Sequence, residues 1–535
     1  MKRALLLAAT LLAAVPAFAQ NLDKQDLDRD AAALKAHVQF LASDAMKGRD
    51  TGSPELAIAE QYVAAQMLAA GLKPAGVNGT WLQPVPLVAY KSAGHGTLVL
   101  RRGETSIPLE WGKDYIARPT PRTPKVAVSG PVVFVGYGTE EEYAGLQAKG
   151  AIVAMLRDAP RGLPSDVRAH LAQPEEKMRV AAAHGAVGVL LIESNARHAL
   201  RPFAQVVSFA ESEAMTWSDG GAAAGPAAPA FAYLGFDGAA KLFEGSKIKW
   251  DAVLAADKVG GKIARGALAV SATGTAETAL RKLAADNVAG LLEGTDKAGE
   301  YVVLSAHLDH VGVGEPDATG DRIYNGAMDN AVGTAAMLEV ARRFQASGKR
   351  PRRSILFVAV TAEEQGLVGS EYFAAHPTVP GRSIVANVNL DMPILTYDFV
   401  DLVAYGADRS SVGKLVEAAA AAEGVRLVPD PEPDQAYFVR SDHYSFVKAG
   451  IPAVSLDLGP GGPGAAATKE FLDKHYHQPS DEVGLIDWKQ GLRFVGLNYA
   501  IARAIADAEA RPVWNKGDFF GTLYKGPMAQ GPSEK

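Results

Sequence analysis

Hydrophobic positions along the chain keep two rhythms, one helical and one of unbroken runs. From Asp30 to Ser43 the residues Leu34, Val38, Phe40 and Leu41 recur at helical spacing, and Gly48-Arg49-Asp50-Thr51-Gly52-Ser53-Pro54 breaks the pattern into a loop. Glu55 to Ala70 repeats it, with Ile58, Tyr62, Val63, Met67 and Leu68 on one face and Gly71 as the stop. Short apolar runs follow at Pro131–Val135, Gly150–Leu156 and Gly188–Ile192, with a helical stretch from Lys177 to His184 between the last two. From Asp286 onward the runs lengthen: Asp286–Gly294, Tyr301–Ala306, Ser354–Ala362 and Ile384–Leu390, interleaved with helical patterns at Asn330–Phe344 and Leu367–Ala375. Val400–Ala404, Ser411–Glu423 and Ala453–Asp457 continue the alternation, and Trp488–Glu509 is a closing helix. Strands that read as continuous apolar runs are buried on both faces. Their alternation with helices predicts an α/β fold, a mostly parallel mixed sheet flanked by helices.

Three of these runs end in charge. The first stops at His307-Leu308-Asp309, the second at Glu363-Glu364 and the third at Asp391. Asp329 stands where the Asn330 helix begins, and His477 lies much further on in His475-Tyr476-His477-Gln478-Pro479-Ser480-Asp481. The carboxyl ends of strands line the ligand crevice of an open α/β sheet. Carboxylates buried together there repel one another and lose solvation, so they require a cation among them. Two histidines with three or four carboxylates, and no cysteine in the chain, form a nitrogen and oxygen donor set suited to Zn²⁺ and compatible with Mn²⁺ or Co²⁺. Asp309 is placed to accept from the His307 ring nitrogen that faces away from a metal. His310 is expected at the surface or in a supporting position. In Glu363-Glu364, adjacent side chains diverge, so one carboxylate can ligate while the other handles a proton.

The order and wording of these pieces resemble the zinc aminopeptidases of peptidase family M28, in a branch that carries a protease-associated (PA) domain. Gly-Arg-x-Thr-Gly-Ser at residues 48–53, Gly71-Leu72-Lys73-Pro74 and Trp81-Leu82-Gln83 are similar to the opening of that branch. The resemblance implies a zinc exopeptidase-like fold binding two Zn²⁺ per chain. It gives His307 and Asp391 to one zinc, Glu364 and His477 to the other, and Asp329 as the bridge between them. Glu363 is then the general base acting on a metal-bridged water, and Tyr476 helps hold the oxyanion. It also implies a cis peptide between Asp329 and Asn330, with Gly326 and Gly333 leaving room. Arg440-Ser441-Asp442-His443-Tyr444 is similar to the family too, which puts Asp442 and His443 in supporting positions around the metals. The activity implied is release of N-terminal residues from peptides with a free N-terminus. Hydrolases of family M20 share the ligand order but carry their extra domain after the Glu-Glu motif; here it precedes His307. A glutaminyl cyclase of the same fold binds a single zinc, and receptor-like relatives have lost ligands that are intact here.

Composition refines this picture. A net charge of −6 over 535 residues, without a lysine or arginine run, offers nucleic acid no basic surface. The absence of cysteine leaves no disulfide framework and no thiolate chemistry. Met1-Lys2-Arg3, the apolar stretch Ala4 to Val15 and the Ala-x-Ala site at Ala17-Phe18-Ala19 read as a secretory signal cut between Ala19 and Gln20, so the mature protein is expected in a periplasm or outside the cell, with no membrane span. The remaining chain is expected to divide into a first peptidase segment at 20–116, a β-rich PA insert at 117–262, the metal-binding segment at 263–511 and an irregular tail at 512–535. Val-Gly-Tyr-Gly at residues 135–138, Lys-Gly-Ala-Ile-Val at 149–153 and the following Ala-Ala-x-x-Gly-Ala-x-Gly-Val-Leu carry the resemblance to a PA domain, and no acid or histidine set converges there.

Overall fold

The computed structural model describes residues 24–218 and 227–529; the expected signal segment lies outside them. Two sheets share one strand. In the larger sheet the strands Arg353–Val360, Lys297–His307, Ile384–Asn389 and Ala453–Leu458 are adjacent and parallel. Antiparallel neighbours flank them: Gly266–Leu292 beside Arg353–Val360, and Asp401–Tyr405 beside Ala453–Leu458. Leu82–Ser92 and Ala214–Trp217 extend the first edge. The expected mixed, mostly parallel sheet is therefore present, with its parallel strands at the centre.

Side-chain alternation divides these strands between two cores. Ile355, Phe357 and Ala359, with Val302, Leu304 and Ala306, pack under the helices Lys24–Leu41, Pro54–Ala69, Val332–Ala346, Val412–Ala422 and Trp488–Asp507. Leu356, Val358, Val360 and Val303 face the other way, against Phe373, Phe446, Trp514 and Phe520. Each fully buried aliphatic or aromatic side chain of this kind contributes roughly 1.5–3 kcal/mol, and burial on both faces is why the strands read as unbroken apolar runs.

The second sheet contains Lys125–Phe134, Ile152–Leu156, Gly188–Ile192 and Ala230–Leu234 in parallel order. It is also wider than the insert expected at 117–262. Thr97–Arg102 and Thr105–Pro108 belong to it, as do residues 266–277 of the strand Gly266–Leu292, which pair with Lys125–Phe134 and Thr97–Arg102. That strand then runs on into the larger sheet, pairing with Leu82–Ser92 from residue 278. Strand-period alternation at residues 266–277, buried on every second residue, marks a half-exposed strand that carries no continuous apolar run. The helix Ser165–Leu171 leans from this lobe onto the larger one, where His170 Nδ1 lies 2.7 Å from the Tyr444 hydroxyl.

The tail also differs from the irregular stretch expected. Trp514 and Phe520 are buried, Trp514 Nε1 donates to Gly450 O at 2.9 Å, and Phe519–Leu523 is a short helix capped by Asp518. Two large aromatic side chains outweigh the Gly- and Pro-rich composition around them.

Candidate metal centre

The charged ends of the parallel strands meet above the sheet. His307 ends the strand Lys297–His307, its ring 1% exposed, and its Nε2 lies 2.9 Å from Asp391 Oδ1 and 3.1 Å from Asp329 Oδ1. On the other side of Asp329, His477 Nε2 lies 3.2 Å from Asp329 Oδ2 and 3.1 Å from Glu364 Oε2. One carboxylate thus faces an imidazole with each oxygen. Two donor groups result, His307–Asp329–Asp391 and His310–Asp329–Glu364–His477, with the ligand atoms of each within 4.8 Å of one another. Donors about 2.1 Å from a common ion lie roughly 3.0–3.4 Å apart in octahedral or tetrahedral arrays, close to the separations found. The donor set fits divalent metal at both seats.

Local structure explains each position. Asp329 and Asn330 are joined by a cis peptide at the start of the helix Val332–Ala346. Asp481 holds that turn from below, its two oxygens accepting from Met328 N at 2.9 Å and Asp329 N at 3.0 Å. Asn330 ties it to the next strand, donating to Leu390 O at 2.9 Å and accepting from Met392 N at 3.2 Å. Gly326 has φ +58°, and a Cβ there would strike Asp329 O and the His310 ring; at Gly333 it would strike Asn330. Asp391 is held through a polar chain along the strands: Asn387 Nδ2 donates to Ser305 Oγ at 2.9 Å, Ser305 Oγ to Asn389 Oδ1 at 2.7 Å, and Asn389 Nδ2 to Ser441 Oγ at 2.7 Å. Ser441 Oγ then donates to Asp391 Oδ2. Ala362, Met392 and His477 all have positive φ, so non-glycine residues in the left-handed region sit at or beside two of the candidate ligands and the candidate base.

Glu363 is the carboxylate left over. Among the described residues no hydrogen bond or ion pair reaches its side chain, while Glu364 is held between His310 and His477. Burial, reinforced by the charges of Asp391, Asp442 and Glu364, pushes the Glu363 carboxyl well above its ordinary value. Asp329 goes the other way: burial pulls it up, but His307 and His477 outweigh that and hold it ionised. Tyr476 stacks on His477 with ring centroids 4.0 Å apart, and burial beside Asp329 and Glu364 raises its phenol far above the usual range.

Two expectations are corrected. The Asp309 carboxylate does not meet the His307 ring; His307 Nδ1 lies 3.1 Å from the main-chain carbonyl of Asp309. The carboxylate instead accepts from Glu363 N at 3.0 Å, Glu364 N at 3.3 Å and Thr51 Oγ1 at 3.0 Å. A carboxylate has room for several donors, and the amides opening the Glu-Glu turn would otherwise be buried unpaired. His443 does not join the centre either: its ring packs edge-on against Phe438, centroids 5.4 Å apart, and burial pulls it down to about 3. Asp442 does lie close, its charge acting on Glu363, and burial pushes its carboxyl up to about 7.

Three further residues support the site, and two of them, Asp481 and Arg49, were given no role by the sequence. His310, expected at the surface or in support, is fully buried with Nδ1 2.7 Å from Glu364 Oε1; its spacing after His307 was the available signal. Asp481 lies in the quoted His477 segment. Arg49, in the loop after the first helix, is buried and donates to Leu308 O at 2.9 Å, Asn325 O at 2.8 Å, Gly326 O at 3.1 Å and Leu41 O. Burial pulls its guanidinium down to about 10 against the upward pull of Asp309, Asp481, Asp329 and Glu364.

Fold and site together define an α/β protein with a paired imidazole and carboxylate centre at the carboxyl ends of its parallel strands. Residues 287–501 match the model of peptidase family M28, and this stretch is an M28 peptidase domain. Curated relatives include a probable glutamate carboxypeptidase of Arabidopsis thaliana, 31% identical over 177 residues, covering 32% of this chain and 22% of that protein. Transferrin receptor protein 2 of Homo sapiens is 35% identical over 117 residues, covering 21% of this chain and 13% of that protein. The chain therefore spans less than a quarter of the length of these two relatives. Among solved structures, an aminopeptidase from Aneurinibacillus sp. strain AM-1 is similar at 23% identity and TM-score 0.49, covering 91% of this chain and 96% of that one.

Proposed function

We propose that this protein is an exported, zinc-dependent exopeptidase that releases N-terminal residues from peptides. The observation that carries the proposal is a single carboxylate, Asp329, shared between two donor groups, with the unpaired Glu363 carboxyl beside them. His307 and Asp391 would hold zinc in one seat and Glu364 and His477 in the other, with Asp329 between them; bound there, the metal would lower the pKa of a water toward about 7 and polarise the scissile carbonyl. His310 fixes the free oxygen of Glu364, and Asp309 fixes the main chain of the Glu363-Glu364 turn. Glu363 takes the proton of the attacking water as the C–O bond forms, then delivers it to the amine as the C–N bond breaks. Tyr476 donates to the carbonyl oxygen as it gains charge. The second lobe, which resembles a PA domain, meets the larger lobe through the helix Ser165–Leu171 at Tyr444.

Removal of C-terminal residues is the second reading, supported by the likeness to a probable glutamate carboxypeptidase of Arabidopsis thaliana. Aminoacyl fluorogenic substrates assayed beside N-blocked peptides separate the two. Turnover of the first alone supports the aminopeptidase; turnover of the blocked peptides alone replaces it. Glu363→Gln should retain two zinc per chain by elemental analysis while losing at least about 10²-fold in kcat, and a near-normal rate would remove Glu363 from its role.

A further inference from the structure

Next to the two donor groups lies a carboxyl that the proposed reaction leaves unused. Asn389 pairs in register with Ser455 on the adjacent parallel strand. Asp391 and Asp457 each lie two residues beyond this pair, near enough that the charge of Asp391 acts on the Asp457 carboxyl. The antiparallel neighbour sets Tyr405 opposite Ser455, and the Tyr405 hydroxyl donates to Asp457 Oδ2 at 3.3 Å. The Tyr437 ring stands 5.4 Å from that of Tyr405. Asp391, Tyr405, Tyr437 and Asp457 are each partly exposed.

Asp457 lacks a positive partner. Among the described residues no ion pair reaches it, and burial beside Asp391 pushes its carboxyl up to about 7, with Asp430 adding to the rise. The exposed Arg440 lies over the Tyr437 ring at 5.1 Å. Asp391 belongs to a donor group that would hold metal, whereas Asp457 belongs to neither group. A half-enclosed carboxylate flanked by tyrosine rings suits an ammonium or guanidinium group, which gains a charged hydrogen bond and ring contact together.

We propose that Asp457, with Tyr405 and Tyr437, forms the subsite for a positively charged side chain on the released residue, so that peptides beginning with Lys or Arg are the favoured substrates. This rests on the aminopeptidase reading. The test compares kcat/KM for lysyl, arginyl, leucyl and glutamyl coumarin amides on the zinc-loaded protein, on Asp457→Asn and on Tyr405→Phe. The wild-type protein should favour lysyl over leucyl by at least about tenfold. That ratio should fall at least about tenfold in Asp457→Asn, the loss expected when one partner of an enclosed charge pair is removed, and by less in Tyr405→Phe, which keeps the carboxylate.

A preference for glutamyl would overturn the subsite. So would an equal loss on lysyl and leucyl substrates in Asp457→Asn, which would assign the carboxylate to the α-ammonium or to folding. Calorimetric binding of L-lysinamide against L-leucinamide gives a readout without turnover. If no aminoacyl substrate is hydrolysed, the aminopeptidase reading fails, while selective lysinamide binding that Asp457→Asn abolishes still supports the subsite. Equal binding of the two amides overturns it.

Discussion

Arg49→Met should destabilise the protein by about 3 kcal/mol, although Arg49 carries no step of the proposed reaction. Its guanidinium serves four main-chain carbonyls, those of Leu41, Leu308, Asn325 and Gly326. These come from the end of the first helix, the residue after His307 and the turn before Asp329. A methionine fills much of the same space and leaves three buried acceptors without a donor, since Gly326 O still accepts from Ala331 N at 3.1 Å. At about 2 kcal/mol each, within the range for an unsatisfied buried group, the loss is about 6 kcal/mol. Against that stands the cost of burying the cation. Its fall from 12.5 to about 10 corresponds to roughly 3 kcal/mol, which the substitution recovers. Arg49→Lys keeps the charge but offers three donors on a flexible stem, so it should lose about half as much. Urea unfolding of the metal-free proteins, followed by far-ultraviolet circular dichroism, measures both. A midpoint for Arg49→Met equivalent to a loss under about 1 kcal/mol would refute the reasoning, since it would mean that water or a shifted main chain satisfies those carbonyls at no cost.

Other outcomes follow from the same contacts. His310→Ala frees one Glu364 oxygen and should weaken zinc at the Glu364–His477 seat by about 10- to 100-fold, as loss of a supporting contact does; competition with a chromogenic chelator reads this, and two unchanged affinities would dismiss the role. His170 and His443 are buried, with burial pulling them down to about 4 and about 3. Both then lie below their ordinary value of 6.5, so the unfolded chain binds the extra protons: stability is complete above pH 6.5 and falls as pH drops toward 4 and 3. At pH 5 each costs about 2 kcal/mol, and urea midpoints of wild type and His443→Phe should converge on acidification. Parallel curves would count against it.

The candidate metal centre was partly legible because three of its donors end runs buried on both faces, where the abrupt change from apolar to charged is visible in a single chain. His307, Glu364 and Asp391 are of this kind. The supporting residues were less so. Arg49 and Asp481 act on main-chain atoms hundreds of positions or a whole domain away, and nothing in a loop reading Gly-Arg-Asp-Thr-Gly marks its arginine as buried. Asp309 was placed near the right partner but on the wrong atoms, since spacing brings a carboxylate close without saying which donors turn toward it. The insert boundary was missed for another reason. Residues 266–277 alternate between buried and exposed, and small residues such as Ala267, Ala269, Ala272 and Gly274 give such a strand little hydrophobic contrast. The second sheet was therefore expected to begin and end too close to its middle.

The strand Gly266–Leu292 has a mechanical corollary. Because its pairing passes from Lys125–Phe134 directly to Leu82–Ser92 at residues 277–278, there is no slack joint on this side at which one lobe could swing like a door. Relative movement there has to twist a continuous ribbon laced by hydrogen bonds to both halves. Excising the insert by rejoining the chain at residue 263 would leave a dangling rib with its partners gone, whereas a cut that removes residues 97–277 takes the rib's far half with it.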